Sequence, residues 1–212
     1  MIKVEHIETW GFEHAIRGMR NPLNSWERSD SGFIGEVGYQ SYIGENDLDL
    51  MHRLYVGGQP HRKYLRQIFA VMDITAPLYW WKEFDTYKVG TTANSCSTMH
   101  KIAAKEFALS DFSIEHLGKD VINKPFKDII DCLNFFRELY NQHKDKSDWW
   151  QMIQLLPSSY NQRRTVSMTY ENVMNMLDYR EGHKLDEWRE FCKILKQLPY
   201  VEEIRDGKKE RT

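Results

Sequence analysis

A dense cluster of hydroxyl and amide side chains lies in the middle of the chain, after a predicted helix. It comprises Thr91, Thr92, Asn94, Ser95, Ser97 and Thr98. Such side chains, together with backbone amides, can bind a phosphate group, but a hydrogen-bonded turn would use the same residue types. Cys96 lies within the cluster, but no base directly adjoins it in sequence, so a nucleophilic role for its thiol is not favoured. The cluster therefore predicts an anion site or a turn, and it leaves the catalytic residues unknown.

A second polar set lies on a helix that is predicted to begin at Thr169, a plausible N-cap. Asn175 and Arg180 are five residues apart on this helix, so they would line a groove only from its two sides. A cation at the end of a helix also interacts favourably with the helix dipole, and this role competes with ligand binding for Arg180. His61 follows Gln59-Pro60 at the start of a short predicted helix, where a structural role competes with a functional one.

The segment from Leu155 to Phe191 reads as a strand followed by two helices, LLPSSYNQRRTVSMTYENVMNMLDYREGHKLDEWREF. It resembles the C-terminal part of the flavin-dependent thymidylate synthases. In that family a Leu-Pro step leads into a short strand, then a helix of the form N-A-R-S-L-M-N-F-L-x-L-R. Asn175 and Arg180 fall on the second Asn and the closing Arg of this pattern. Thr169 and Glu171 replace its first Asn and its Arg.

The resemblance extends back to about Gly57. Family members have a His near the start of a short helix, a strand that ends in Ala-Pro, a further helix and the signature R-H-R-x-x-S-x-N-E-x-S-x-R. Ala76-Pro77 match the Ala-Pro step, and His61 falls on the family's His. The signature itself is broken, because its R-H-R falls on Thr86-Tyr87-Lys88. Its Ser, Asn, Glu and Ser portion falls on residues 91–99 with a one-residue ambiguity.

The resemblance implies an α+β, flavin-dependent thymidylate synthase-like fold with helices packed on a small antiparallel or mixed sheet. It also implies that FAD relays hydride from NADPH, while methylenetetrahydrofolate gives the carbon for reductive methylation of dUMP to dTMP. The same fold could act on another pyrimidine nucleotide or carbon donor. By position, the resemblance assigns the cofactor to His61, Lys88, Asn94 and Asn175, and the substrate to Thr91, Ser97 and Arg180.

The broken signature removes charge from the place where the resemblance puts anionic groups. Arginine offers a planar, permanently charged fork for phosphate, but Thr86 and Tyr87 are uncharged and Lys88 supplies one point charge. Losing one partner of a buried charge pair typically costs about 2–5 kcal/mol. FAD binding is therefore expected to be weak or lost unless other cations compensate. The candidates are Arg62, Lys63, Arg66, Arg163 and Arg164.

Two functional hypotheses follow from the resemblance. The first is a divergent flavin-dependent thymidylate synthase-like enzyme, similar to the paralogues that phages and prophages carry. The second is a non-catalytic nucleotide-binding or assembly module that keeps the fold.

Composition excludes several other classes of protein. A chain of 212 residues can bury a full core without disulfides or a metal. The net charge of −2 and the dispersed Lys and Arg argue against a nucleic-acid polymer as partner. No stretch approaches the roughly 20 apolar residues of a membrane span. Cys96, Cys132 and Cys192 lack metal-ligand or redox spacing, so we expect free thiols and a cytoplasmic location.

One domain is predicted over residues 1–204, followed by a charged, disordered tail at 205–212. A long loop region at 18–45 would cover a site, reach a neighbouring subunit or be a solvated excursion. Hydrophobic periodicity and turn signals predict helices at 46–55, 61–67, 78–86, 124–143, 149–155, 169–177 and 184–198, and strands at 68–75 and 164–168. Helices dominate a few strands, which is typical of the α+β class.

Aromatic residues occur in adjacent pairs at Trp80-Trp81, Phe135-Phe136 and Trp149-Trp150. Such pairs suggest a subunit interface or a helix that contacts two neighbours, with ordinary core packing as the alternative. The resemblance implies sites built from several subunits. A homo-oligomer is therefore expected, with a tetramer as the form we favour.

Overall fold

The computed structural model describes residues 1–33 and 42–207, so part of the predicted loop region and the last five residues lie outside it. Four strands form one antiparallel sheet in the order β1-β2-β4-β3. They are β1 (Lys3–Trp10), β2 (Phe69–Pro77), β3 (Thr91–Ser95) and β4 (Asn161–Thr169). The predicted α+β fold with a small antiparallel sheet is confirmed.

Helices surround this sheet and make up most of the rest of the described chain. They are α1 (Phe12–Arg20), α2 (Glu45–Val56), α3 (Leu78–Phe84), α4 (Thr98–Lys101), α5 (Lys119–Val121), α6 (Lys127–His143), α7 (Lys146–Leu155), α8 (Tyr170–Arg180), α9 (Asp186–Lys196) and α10 (Val201–Asp206). A 3-10 turn at Arg62–Gln67 precedes β2, and a π turn at Ile122–Phe126 joins α5 to α6. None of the helices in the described ranges has both the length and the apolar character to cross a membrane.

Strands β2 and β4 form the centre of the sheet and set the register of the whole fold. They pair without a slip from Phe69 opposite Thr169 to Pro77 opposite Asn161. Alternate residues of β2 are buried, which gives one apolar face for helices to cover. The core on that face is rich in aromatic residues, and its largest fully buried side chains include Trp80, Trp81, Trp188, Tyr170, Phe84 and Phe191.

A second, smaller core lies between α6, α7 and the segment that follows α4. Its buried side chains include Phe107, Phe112, Phe126, Leu133 and Met152. The adjacent aromatic pairs differ in how deeply they are buried in these two cores. Trp80 and Trp81 belong entirely to the main core, so the interface interpretation is wrong for this pair. Phe135 and Trp150 remain about half exposed.

Several boundaries differ from the predicted ones. Helix α1 reaches Arg20 and so enters the predicted loop region, which also contains two 3-10 turns at Asn21–Leu23 and Trp26–Arg28. The disordered tail was expected from Arg205, but this residue lies in α10 and pairs with Glu181. Residues 208–212 lie outside the described chain.

The described part of the loop region is anchored by a buried ion pair between α1 and α2. Arg20 Nε donates to Asp47 Oδ1 at 2.6 Å, and both side chains are almost fully buried. Ser29 and Ser31 each donate a hydroxyl to the other carboxylate oxygen, also at 2.6 Å. Burial alone would raise the pKa of Asp47, but these hydroxyl bonds and the guanidinium outweigh it and lower the pKa. The Asp47 carboxylate therefore anchors the described residues on both sides of this loop region.

We expect Asp47→Asn to lower the free energy of unfolding by about 3–5 kcal/mol in urea, because it leaves the Arg20 charge buried without its partner. The exposed pair Arg53–Asp49 supplies a matched control, and Asp49→Asn should cost about 0.5 kcal/mol or less. Equal losses in the two variants would contradict the anchoring role.

The pH dependence follows from the direction of the pKa shift. Because folding lowers the pKa of Asp47, the stabilisation by its ionised carboxylate is complete above the ordinary pKa of 3.8. This stabilisation is lost as the pH falls below that value. Acid titration of stability should therefore show a smaller loss below about pH 4 in Asp47→Asn than in the wild type. Parallel curves for the two proteins would count against the account.

Candidate functional site

The passage from strand β4 into helix α8 positions the residues that the resemblance singles out. Thr169 ends the strand, donates its backbone N–H to the carbonyl of Gly90, and caps the helix by accepting from the backbone of Asn172. The Asn172 side chain donates to the Val89 carbonyl at 2.7 Å and to the Thr91 hydroxyl at 2.8 Å. The segment before β3 is thereby held against the first turn of α8.

Gly90 suits this junction. Its φ of +75° lies in the left-handed region, and a Cβ atom there would be 3.1 Å from the Thr169 side chain. Another residue would strain the backbone, and the capping side chain of Thr169 would have to shift by a few tenths of an ångström.

The hydroxyl cluster forms an edge strand followed by a helix cap, so the turn alternative is wrong for Thr91–Ser95. Thr91 lies opposite Met168 at one end of β3, and Ser95 lies opposite Arg164 at the other. At about 3.3 Å per residue, Ser97 is about 20 Å along the chain from Thr91. Asn94 is exposed on this edge, opposite Thr165. The two predicted substrate residues of the cluster therefore lie at opposite ends of the strand.

Arg180 closes α8 and is held by an internal cluster of side chains. Its Nη1 donates to Glu83 Oε2 at 2.9 Å, and its Nε donates to the Tyr87 hydroxyl at 3.1 Å. The guanidinium lies 5.0 Å from the Trp188 ring centre. The same Glu83 oxygen accepts from Trp188 Nε1 at 3.0 Å and lies 3.2 Å from His183 Nε2. Lys88 follows Tyr87 and is exposed.

Asn175 lies on a different side of α8, against the 3-10 turn. Its Oδ1 accepts from Arg62 Nη2 at 3.1 Å, and the exposed His61 directly precedes that arginine. His61 and Lys63 border a separate cavity of about 480 Å³ next to the turn that follows α1. Helix α8 thus has Asn175 facing the 3-10 turn and Arg180 facing Tyr87. The expected gathering of all these residues around one groove does not occur within a single chain.

The arginines that were candidates to compensate for the broken signature each face a carboxylate within the chain. Arg62 and Arg66 face Glu171, Arg163 pairs with Asp73 at 2.6 Å, and Arg164 pairs with Asp85 at 2.7 Å; these are all contacts within the described residues. Lys63 and Lys88 have no carboxylate partner in the same ranges. Because its guanidinium groups already face carboxylates, this donor set leaves only two lysines for the pyrophosphate of FAD, which makes it a poor fit for that group.

A polar cavity of about 290 Å³ opens where β3 leads into α4 and where β4 begins. We call it the Ser97 pocket. Its polar lining includes Cys96, Ser97, Thr98, Lys101, Lys105, Asp111, Tyr160, Asn161, Gln162 and Arg163. Lys105 pairs with Asp111, whereas Lys101 has no carboxylate partner among residues 1–33 and 42–207. The pocket therefore offers an uncompensated cation beside several hydroxyl groups.

The walls of the Ser97 pocket are held by hydrogen bonds. The buried Gln162 donates from Nε2 to the Cys96 carbonyl at 3.0 Å and accepts from Arg164 Nε at 2.9 Å. Asn161 Oδ1 accepts from the Ser113 hydroxyl at 2.8 Å. Burial raises the pKa of Tyr160, so its phenol stays protonated at neutral pH and remains a hydrogen-bond donor. This arrangement suits a small polar anion.

A larger cavity of about 400 Å³ lies between the start of β1 and the first half of α9. Glu115, Asp186, Glu187 and Glu190 line it. The Met1 ammonium, Arg189 and Lys193 each pair with one of these carboxylates. The cavity therefore offers an acidic lining with no spare cation among the described residues for a nucleotide phosphate.

Known structures share the whole architecture of the chain. The flavin-dependent thymidylate synthase ThyX from Helicobacter pylori, in a complex with FAD and dUMP, superposes with a TM-score of 0.69 at 20% sequence identity. The match covers 98% of this chain and 100% of that one. The chain has the ThyX fold. A second structure of Helicobacter pylori ThyX with FAD and dUMP gives a TM-score of 0.66 at 18% identity, covering 95% of both chains. No family model and no curated protein sequence matches the chain.

Sequence reasoning missed two features of the site region. Glu83 forms the ion pair with Arg180 but lies 97 residues from it in sequence, so no local sequence pattern predicts this contact. Lys101 and Lys105 are four residues apart after the hydroxyl cluster, and that spacing next to Ser97 could have indicated an anion pocket. The ligand roles assigned to His61, Lys88, Asn94, Asn175, Thr91, Ser97 and Arg180 stay predictions.

We expect Arg180→Gln to lower the free energy of unfolding by about 1–2 kcal/mol, because Glu83 loses its ion pair and Trp188 loses a stacked cation. Urea denaturation measures the loss. The exposed Arg53→Gln serves as control, with an expected cost of about 0.5 kcal/mol or less. An unchanged stability in Arg180→Gln would show that the internal cluster does not hold the end of α8.

Proposed function

We propose that this chain is a divergent flavin-dependent thymidylate synthase-like protein that binds a pyrimidine nucleotide such as dUMP. The observation that carries the proposal is the Ser97 pocket, where Lys101 has no partner among the described residues. The near-complete fold match to ThyX structures that contain FAD and dUMP supports the same ligand class. The pocket includes Ser97, which the resemblance assigns to the substrate.

The chemistry of the Ser97 pocket fits a nucleotide monophosphate. Lys101 supplies a point charge for the phosphate, and the hydroxyl groups of Ser97 and Thr98 supply hydrogen bonds. Tyr160 and Asn161 offer further polar groups on the opposite wall for a sugar or a pyrimidine edge. Arg163 also lines the pocket, but it could contact the nucleotide only while its guanidinium group is shared with Asp73.

FAD is expected to bind more weakly than the nucleotide. When bound, FAD would supply hydride transfer from NADPH, with methylenetetrahydrofolate as the carbon donor for reductive methylation of dUMP or a related one-carbon transfer. The broken signature and the paired arginines do not fit its pyrophosphate, so we assign no reaction step to individual residues.

A second candidate function is a non-catalytic nucleotide-binding or assembly module. The contacts of four arginines with internal carboxylates favour it, because these side chains already take part in holding the fold together. An assay of dTMP formation with added FAD, NADPH and methylenetetrahydrofolate separates the two. Turnover above the protein-free rate supports the enzyme, and nucleotide binding without turnover supports the module.

A homotetramer is part of the proposal. Within one chain, Arg180 ends α8 and Thr91 contacts the first turn of this helix, whereas Ser97 lies beyond the far end of β3. Sites built from several subunits, as the resemblance implies, would bring such separated groups together. The half-exposed Phe135 and Trp150 offer apolar surface for contacts between copies.

We expect Lys101→Gln to weaken dUMP binding by about tenfold or more in titration calorimetry, because a charge-assisted contact to the phosphate is lost. Deoxyuridine, which lacks the phosphate, should bind the variant and the wild type equally. Lys193→Gln on the outer face of α9 removes the same charge from an exposed pair and should leave dUMP affinity unchanged. Unaltered dUMP affinity in Lys101→Gln would refute the placement of the phosphate.

Light scattering at micromolar concentration should give the mass of a tetramer of the 25.3 kDa chain. Obligate assemblies of this kind bury interfaces of about 2,000 Å² or more. A monomer mass would contradict both the oligomer and a site shared between subunits.

A further inference from the structure

The first turn of helix α8 contains a carboxylate that is almost enclosed by two arginines. Glu171 accepts from Arg66 through both oxygens, with Nε at 2.6 Å and Nη2 at 3.0 Å. Only 13% of the Glu171 side chain is exposed. The geometry is the two-pronged arrangement that a guanidinium forms with a carboxylate or a phosphate.

Arg62 completes the enclosure from the other side. Its Nε lies 3.8 Å from Glu171 Oε1, and its Nη2 donates to Asn175. The Arg62 Nε atom is buried and has no hydrogen-bond partner in the described chain. One donor of the cluster is therefore unsatisfied, although it lies close to an anion.

Arg62 and Arg66 lie at the N-terminal end of the 11-residue helix α8. Their charges and the helix dipole together form an anion-binding site. In this chain the Glu171 carboxylate occupies that site. A phosphate group could enter only by displacing Glu171 or by accepting its repulsion at close range.

We propose that Glu171 determines ligand specificity by occupying the anion site between Arg62 and Arg66, and so weakens the binding of a phosphate-bearing cofactor such as FAD. The inference rests on the proposed function only in taking FAD as the cofactor that the site must accept or reject. It concerns the 3-10 turn and α8, whereas the nucleotide is assigned to the Ser97 pocket.

The decisive variant is Glu171→Gln, which keeps the size of the side chain and removes its charge. Both arginines then face the site without a neutralising carboxylate. FAD affinity, measured by flavin fluorescence titration, should rise by about tenfold or more over the wild type. Riboflavin carries no phosphate, so its affinity should not change.

Glu181→Gln is the matched control. Glu181 directly follows α8 and pairs with two cations, Lys196 and Arg205. This variant changes the net charge by the same amount away from the 3-10 turn, and it should leave FAD affinity unchanged. Adding Arg66→Gln to Glu171→Gln should remove the gain, and the half-exposed position of Arg66 makes that substitution tolerable for the fold.

The proposal is overturned if folded Glu171→Gln shows no gain in FAD affinity, or if Glu181→Gln shows an equal gain. Thermal melting checks that each variant is folded, and Glu171→Ala replaces the Gln variant if that one does not melt cooperatively. Wild-type protein that retains stoichiometric FAD through purification also overturns it, whatever the variants do. Failure of the wild type to bind dUMP would count against the proposed function alone.

Discussion

The hydrogen bonds around Thr169 are the constraint on which the arrangement of the site depends. Thr169 ends the central strand β4, caps α8 and bonds to Gly90, so the strand, the helix and the segment before β3 meet at one residue. Asn172 extends the contact to Val89 and Thr91. Because these bonds fix α8 relative to the sheet, they decide that Asn175 faces the 3-10 turn and that Arg180 faces Tyr87.

The distribution of charge then decides which part of the chain can accept a ligand. Glu83 pairs with Arg180, and Glu171 pairs with Arg66 beside Arg62, so a carboxylate of the protein itself lies against the cations at each end of α8. Ion pairs of this kind stabilise a fold but leave little attraction for an external anion. Among the described residues, the far end of β3 has Lys101 without a carboxylate partner, and this is why we propose the Ser97 pocket for the nucleotide.

Local patterns were sufficient for much of the fold. The N-cap at Thr169, the stop of α2 at Gly57 and the apolar period of α6 are encoded within a few residues each, and all three are confirmed. Strand β3 was missed because Thr91–Ser95 are polar and form a strand only through long-range pairing with β4. The contacts of the candidate site were harder to predict than the fold, because partners such as Glu83 and Arg180 are far apart in sequence and no local pattern links them.

A crystal structure of the protein with dUMP tests the central claim most directly, because the Ser97 pocket and the Arg180 end of α8 are distinct places in one chain. The account predicts electron density for the phosphate within hydrogen-bonding distance, about 3 Å, of Lys101 Nζ. Density for the phosphate beside Arg180 of the same chain, with the Glu83 ion pair broken and the Ser97 pocket without nucleotide, would contradict it.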